Sequence, residues 1–289
     1  MATSWPRLDR LLARDHAAVG EKGRTLALLH GERRPHAVVL LHGMTASPPQ
    51  FERFAVELHA RGHNVLVPRL PRHGHRDRLS TALERLRPDD LYAATTNYVE
   101  IARELGERVT IAGFSLGGLL AVWSAQHFDV DRAVAIAPFF GVAWLPGALM
   151  TAAAELLLRV PNRYHWWNPV LKERQMPAHG YPRFSTHAIA QTYRIARTLL
   201  ARASAEPPRA AHVVLVANAS EATVNNRAIR RLYRRWSVLR PGVVELRVLR
   251  GLPPSHDVVE PLRHGELAER VYPELLEAID PRRQAHDTK

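Results

Sequence analysis

Short apolar runs bounded by turn residues recur along the chain and predict buried strands. They cover Thr25 to Leu29, Ala37 to Leu41, Asn64 to Val67, Val109 to Ala112, Ala133 to Ala137, Val213 to Ala217 and Val243 to Leu249. Most are rich in Val, Leu, Ile and Ala with little alternation, the pattern of parallel strands covered on both faces. Helical spacing fills the intervals. Phe51, Phe54, Ala55 and Leu58 share one face of a helix over 51–61. A second helix, over 89–105, opens on Asp89 and Asp90, acidic residues that suit an N-terminal cap and first turn. Further helical patterns run over 116–127, 225–236 and 262–279. Strands alternating with helices predict an α/β fold with a doubly wound, mostly parallel sheet.

One interval breaks this rhythm. Roughly seventy residues separate the strand ending near Pro138 from the one starting at Val213, far more than a strand-to-strand connection needs. The interval holds a helix-like run from Leu145 to Val160, the aromatic group Tyr164, Trp166 and Trp167, and a helical run from Ser185 to Ala203. Its aliphatic and aromatic content argues against a disordered insertion. The expected organisation is a core of residues 1–141 and 209–289 carrying an inserted helical cap, 142–208. The Leu145 run carries Glu155 and Arg159, which suits a plain cap helix better than a lid that meets lipid.

The strand over 109–112 ends in Gly113-Phe114-Ser115-Leu116-Gly117, with Gly118 and a helical pattern behind it. Strand, glycine-flanked turn with one serine, and helix are the context of a nucleophile elbow. The glycines make room on a strained turn that exposes the serine Oγ beside a helix N-terminus. The alternative is a glycine-rich turn in some other α/β protein.

A serine hydroxyl needs a base, and the base needs an orienting carboxylate. In a doubly wound sheet both should follow later strands, at their carboxyl ends. His256, after the strand over 243–249, is the candidate base; most of the other histidines among the 16 present fall in helices or before strands. Glu221, the acid in the loop after the strand over 213–217, is the candidate orienting group. Its competitor, Asp257, would have to fold back on its own neighbour; the alternative role of Glu221 is to cap the next helix. An oxyanion hole completes the chemistry. The Leu116 amide at the helix N-terminus supplies one donor, and the loop His42-Gly43-Met44-Thr45 the other, with Met44 the natural amide and Thr45 an open alternative. Phe139, Phe140, Trp144, Trp166, Trp167 and Tyr193 are candidates for the substrate pocket, or for packing between cap and core.

Length and composition narrow the remaining choices. A chain of 289 residues, 46% hydrophobic, supports one large α/β domain with an insertion. With no cysteine, disulfides, thiolate chemistry and Cys-type zinc sites are excluded. Early charges at Arg7, Asp9 and Arg10 stand where a signal peptide needs an apolar segment. No run reaches the length of a membrane span, so a cytoplasmic protein without stable membrane association is expected. The net charge of +12 comes almost wholly from arginine, lysine occurring only at Lys22, Lys172 and Lys289. The cluster Arg227, Arg230, Arg231, Arg234 and Arg235 reads as the solvated face of a helix that buries Ile229, Leu232 and Trp236, and no nucleic-acid motif accompanies it.

The order Ser115, Glu221, His256, with His42-Gly43 after an early strand, resembles the serine α/β-hydrolase family, and within it the bacterial carboxylesterases similar to monoacylglycerol lipases. The segment Val67-Pro68-Arg69-Leu70-Pro71-Arg72-His73-Gly74-His75 resembles that group's P-x-x-P-x-H-G stretch. The chain departs in using Glu for the more usual Asp, and in Thr45, which stands where the family often has a second glycine. The resemblance implies an α/β-hydrolase fold and hydrolysis of a small-molecule carboxylic ester, with no metal or organic cofactor, by a monomer or homodimer. Other acyl hydrolysis or transfer on the same residues, and a ligand-binding homologue without activity, are the competing readings.

Overall fold

The computed structural model describes residues 4–15, 19–175 and 179–281. In chain order the elements are α1 (Pro6–Ala13), β1 (Leu26–Leu28), β2 (Arg34–Leu41), α2 (Glu52–Ala60), β3 (Asn64–Val67), α3 (Pro88–Leu105), β4 (Gly106–Phe114), α4 (Leu116–His127) and β5 (Arg132–Ile136). The second half adds α5 (Gly147–Leu157), β6 (Tyr164–Trp166), β7 (Arg183–Ser185), α6 (Thr186–Ala203), β8 (His212–Asn218), α7 (Asn226–Leu239), β9 (Val244–Leu249) and α8 (Pro261–Ile279).

Seven strands form one sheet in the order β1-β3-β2-β4-β5-β8-β9. Only β1 runs antiparallel, at the edge against β3. The apolar runs explain why β2, β4, β5 and β8 are central. Val38 to Leu41, Ile111, Ala112 and Val213 to Ala217 are almost fully shielded from solvent, and each Val, Leu or Ile side chain among them contributes about 1.5–3 kcal/mol of transfer free energy. Helices flank the sheet: α2 packs on α8, while α3, α4, α6 and α7 touch in succession. On α7, Ile229, Leu232 and Trp236 are buried and the five clustered arginines are exposed. No helix among the described residues is long and apolar enough to cross a membrane.

Two elements were not expected from the sequence, α1 and the β6–β7 hairpin. At the start of α3 the expected Asp cap is replaced by Pro88 at the first helical position, with Asp89 and Asp90 in the first turn. The residues between β5 and β8 leave the sheet near Phe139 and return at His212. Within them, α6 is started by Ser185, whose Oγ accepts from the Ala188 amide (3.1 Å). It seats this stretch on α4 and α7. On α5, Met150 and Ala154 are buried while Leu149 and Leu156 face solvent.

Candidate active site

Ser115 links β4 to α4 with φ 55° and ψ −108°, a conformation that L-residues avoid. Its amide donates to the Ile136 carbonyl (2.9 Å), and its carbonyl accepts from the Leu119 amide (3.0 Å). The flanking glycines answer to close contacts. A Cβ on Gly113 would lie 2.2 Å from the Gly117 carbonyl oxygen, and one on Gly117 would lie 1.9 Å from that of Leu41. Ser115 is 8% exposed and opens onto a cavity of about 310 Å³.

His256 sits in the loop after β9. Its Nε2 is 2.9 Å from Ser115 Oγ, and its Nδ1 is 2.9 Å from Glu221 Oε2. The carboxylate excludes a proton from neither nitrogen, but as an acceptor it selects the tautomer with hydrogen on Nδ1, leaving Nε2 free to accept from the hydroxyl. Asn218, the last residue of β8, steadies this loop by donating to the carbonyls of Pro253 (2.9 Å) and Ser255 (3.2 Å). The Glu221 side chain has no solvent exposure. Burial pushes its carboxyl upward. The hydrogen bond and charge of His256, with the amides of Thr223 (2.6 Å) and Val224 (3.3 Å) donating to Oε1, outweigh that and hold it below the ordinary glutamate value. Asp257 is turned elsewhere. Its Oδ2 accepts from Gln50 Nε2 (2.9 Å), and its Oδ1 from the amides of Val259 and Glu260.

The loop after β2 approaches from the other side. The Gly43 amide is occupied by Gln50 Oε1 (2.8 Å), which leaves Met44 as the next amide along a loop whose side chains line the cavity. Leu116, the first residue of α4, has an amide without an intrahelical acceptor. Thr45 adopts φ 64°, the left-handed region that glycine favours. Its hydroxyl oxygen accepts from Trp167 Nε1 (3.0 Å) and its carbonyl from the Tyr181 amide (2.7 Å). These bonds tie the loop to the residues above it. His42 is a brace: Nδ1 donates to the Gly43 carbonyl (2.9 Å) and Nε2 accepts from the Leu70 amide (3.1 Å).

Of the aromatic candidates, Phe139 and Trp167 line the cavity. Phe140, Trp144 and Trp166 do not. Phe140 turns into the hydrophobic core. Trp144 is 78% exposed, ahead of α5. Trp166 is the last residue of β6, and the chain bends at Trp167. Tyr193 is buried between α6 and α5, its hydroxyl donating to the Gly147 carbonyl (3.0 Å). Sequence reasoning missed the polar end of the cavity, where Gln50, His179, Asp257 and Glu260 converge. His179 Nε2 lies 3.2 Å from Glu260 Oε2, and both side chains are buried. No local motif marks these four, which come from three separate loops.

A model of the alpha/beta hydrolase family matches residues 38–270, and the chain belongs to that family. No curated protein matches it in sequence. Among solved structures it is similar to the metagenome-derived lipolytic enzymes LipS and LipT, with 17% identity over 90% of this chain and 98% of that one, TM-score 0.67. It is also similar to the Paleococcus ferrophilus monoacylglycerol lipase (18% identity, 88% of this chain and 97% of that one, TM-score 0.66). A soluble variant of the Saccharomyces cerevisiae monoglyceride lipase shares 13% identity over 89% of this chain and 90% of that one, TM-score 0.67. At such identities the likeness is one of fold.

Proposed function

We propose that the protein is a serine hydrolase that cleaves carboxylic esters of small or medium acyl chains through an acyl-enzyme on Ser115. The observation that carries this reading is the unbroken line of hydrogen bonds from Ser115 Oγ through His256 to Glu221, at 2.9 Å for each step, on the wall of a largely apolar cavity. His256 Nε2 takes the hydroxyl proton as Oγ attacks the acyl carbon. The Leu116 amide and that of Met44 receive the oxyanion. His256 then gives its proton to the departing alcohol, and the same imidazole draws a proton from the water that releases the acid. Glu221, ionised throughout, holds Nδ1–H and offsets the charge on the imidazolium.

Residues 142–208 serve as a cap in this reading, with Phe139, Trp167 and Phe184 beside the acyl chain. The cavity, about 310 Å³, lies at the small end of the range for ligand sites, roughly 300–1,000 Å³. That size supports short acyl groups over long ones. Lipolytic enzymes among the similar structures support an ester in preference to an amide or thioester.

The test is initial-rate hydrolysis of p-nitrophenyl esters from acetate to palmitate, beside matched thioesters and anilides. The expected profile peaks between butyrate and octanoate and falls steeply at palmitate. A maximum at palmitate would replace this reading with a lipase, and turnover of thioesters or anilides alone would replace the substrate class.

A further inference from the structure

At the opposite end of the sheet from Ser115, three side chains that the proposed chemistry does not use converge. His36 lies near the start of β2, His63 immediately precedes β3, and Asp280 follows α8. One donor atom from each lies within 4.8 Å of the other two. Thr110, on β4 beside them, is five residues before Ser115, about 16 Å along an extended strand.

The hydrogen bonding within the cluster leaves one buried ring nitrogen without a partner. The Thr110 hydroxyl oxygen lies 2.8 Å from His36 Nε2 and 3.4 Å from the Ile279 carbonyl oxygen. His36 Nδ1 is buried with no hydrogen-bond partner among the described residues, and what faces it is Asp280 Oδ1 at 3.7 Å. At that separation the two atoms are too far apart for a direct hydrogen bond, and a cation between them would engage both. The other carboxylate oxygen, Oδ2, is 2.8 Å from His63 Nε2. The two imidazoles stand edge-to-face, centroids 4.7 Å apart.

We propose that His36 Nδ1, His63 Nε2 and Asp280 form a divalent transition-metal site, of the zinc type, that clips the end of α8 to the amino ends of β2 and β3. Two neutral imidazoles and one carboxylate, with water as fourth ligand, are a donor set such ions accept. The bond from His36 Nε2 to Thr110 is the outer contact by which a ligating histidine is held in orientation. Tetrahedral bonds of about 2.0–2.2 Å need donors about 3.3 Å apart, so the group closes by up to about 1.5 Å, through rotation of the His63 ring and the Asp280 carboxylate. Arg108 and Arg132 lie within electrostatic range. Their charge opposes every divalent ion alike, and the two imidazole donors favour a zinc-type ion over calcium and magnesium, which bind through oxygen. The clip would join residues far apart in sequence, and binding at a site absent from the unfolded chain stabilises the fold.

The experiment titrates Zn²⁺ and Co²⁺ into chelator-treated, tag-free full-length protein, in the wild type and in His63→Ala and Asp280→Asn. The expected result is one equivalent bound, with the visible Co²⁺ absorption of a four-coordinate site and a higher Tm. Each substitution should weaken binding at least about tenfold and remove the Tm rise, while ester turnover stays unchanged. Because either variant could fold poorly, zinc-edge X-ray absorption on the wild type gives an independent reading: two imidazoles and light-atom oxygen ligands are expected. Absence of stoichiometric binding, equal binding in both variants, or an all-oxygen shell would overturn the proposal.

Discussion

Ser115 holds a φ of 55° because its neighbours leave its backbone no alternative. Such a conformation costs about 1–3 kcal/mol, offset here by the bond to Ile136 and the first turn of α4. The glycines were legible in the sequence because the collisions they avoid are local, between β4 and the turn that leaves it. Thr45 was less legible. Nothing in a sequence says that a threonine will sit at φ 64°, and its bonds to Trp167 and Tyr181 come from residues more than a hundred positions away. That Glu221 and not Asp257 bonds His256 is likewise a matter of the fold, since Gln50 and two amides bond the Asp257 carboxylate. At this scale Gly117→Ala should be severe. A methyl group 1.9 Å from the Leu41 carbonyl oxygen has no flexible side chain to displace. We expect a loss of about 2–4 kcal/mol in denaturant unfolding together with loss of ester turnover. Unchanged unfolding and full turnover would contradict the packing described for the elbow.

The elements whose sequence pattern was strongest sit where it placed them. The strand over 64–67 and the helix over 116–127 match residue for residue, because a short apolar run bounds the first and the serine turn sets the start of the second. The β6–β7 hairpin escaped notice because its three-residue strands are half exposed and carry no clear alternation. The loops between elements carry the site, and buried histidines brace them. His42 and His73 meet edge-on at 5.1 Å, joining the loop after β2 to the one after β3. Burial is the main reason that both imidazoles stay neutral, His42 well below its ordinary pKa of 6.5 and His73 down to about 4. The unfolded chain therefore takes up protons first as the pH falls. Stability is full above about pH 6.5 and is lost between there and the folded values. His73 alone accounts for about 2 kcal/mol at pH 5. Urea unfolding of the wild type at about pH 7.5 and about pH 5 should show that loss, and His73→Gln should reduce the difference by about 2 kcal/mol. Equal pH dependence in the two proteins would contradict this role for His73.

Across the whole molecule, the parallel sheet gathers three distant stretches of chain at its carboxyl edge, and the residues between β5 and β8 lie over it. The order of Ser115, Glu221 and His256 was legible because a doubly wound sheet dictates which loops share an edge. The cavity lining was not, because which of several tryptophans faces inward depends on how the inserted stretch docks. Trp144 and Trp167 look equivalent in the sequence, yet the first is 78% exposed and the second donates a hydrogen bond to Thr45. The polar end formed by Gln50, His179, Asp257 and Glu260 exists only through the tertiary fold. The central claim is that Ser115 is an activated nucleophile on this edge. Reaction with a fluorophosphonate, followed by peptide mapping by mass spectrometry, tests it most directly. We expect one adduct, on Ser115, formed in parallel with the loss of ester turnover and absent from a folded Ser115→Ala variant that is itself inactive. An adduct on another residue, or ester turnover that survives in Ser115→Ala, would contradict the account.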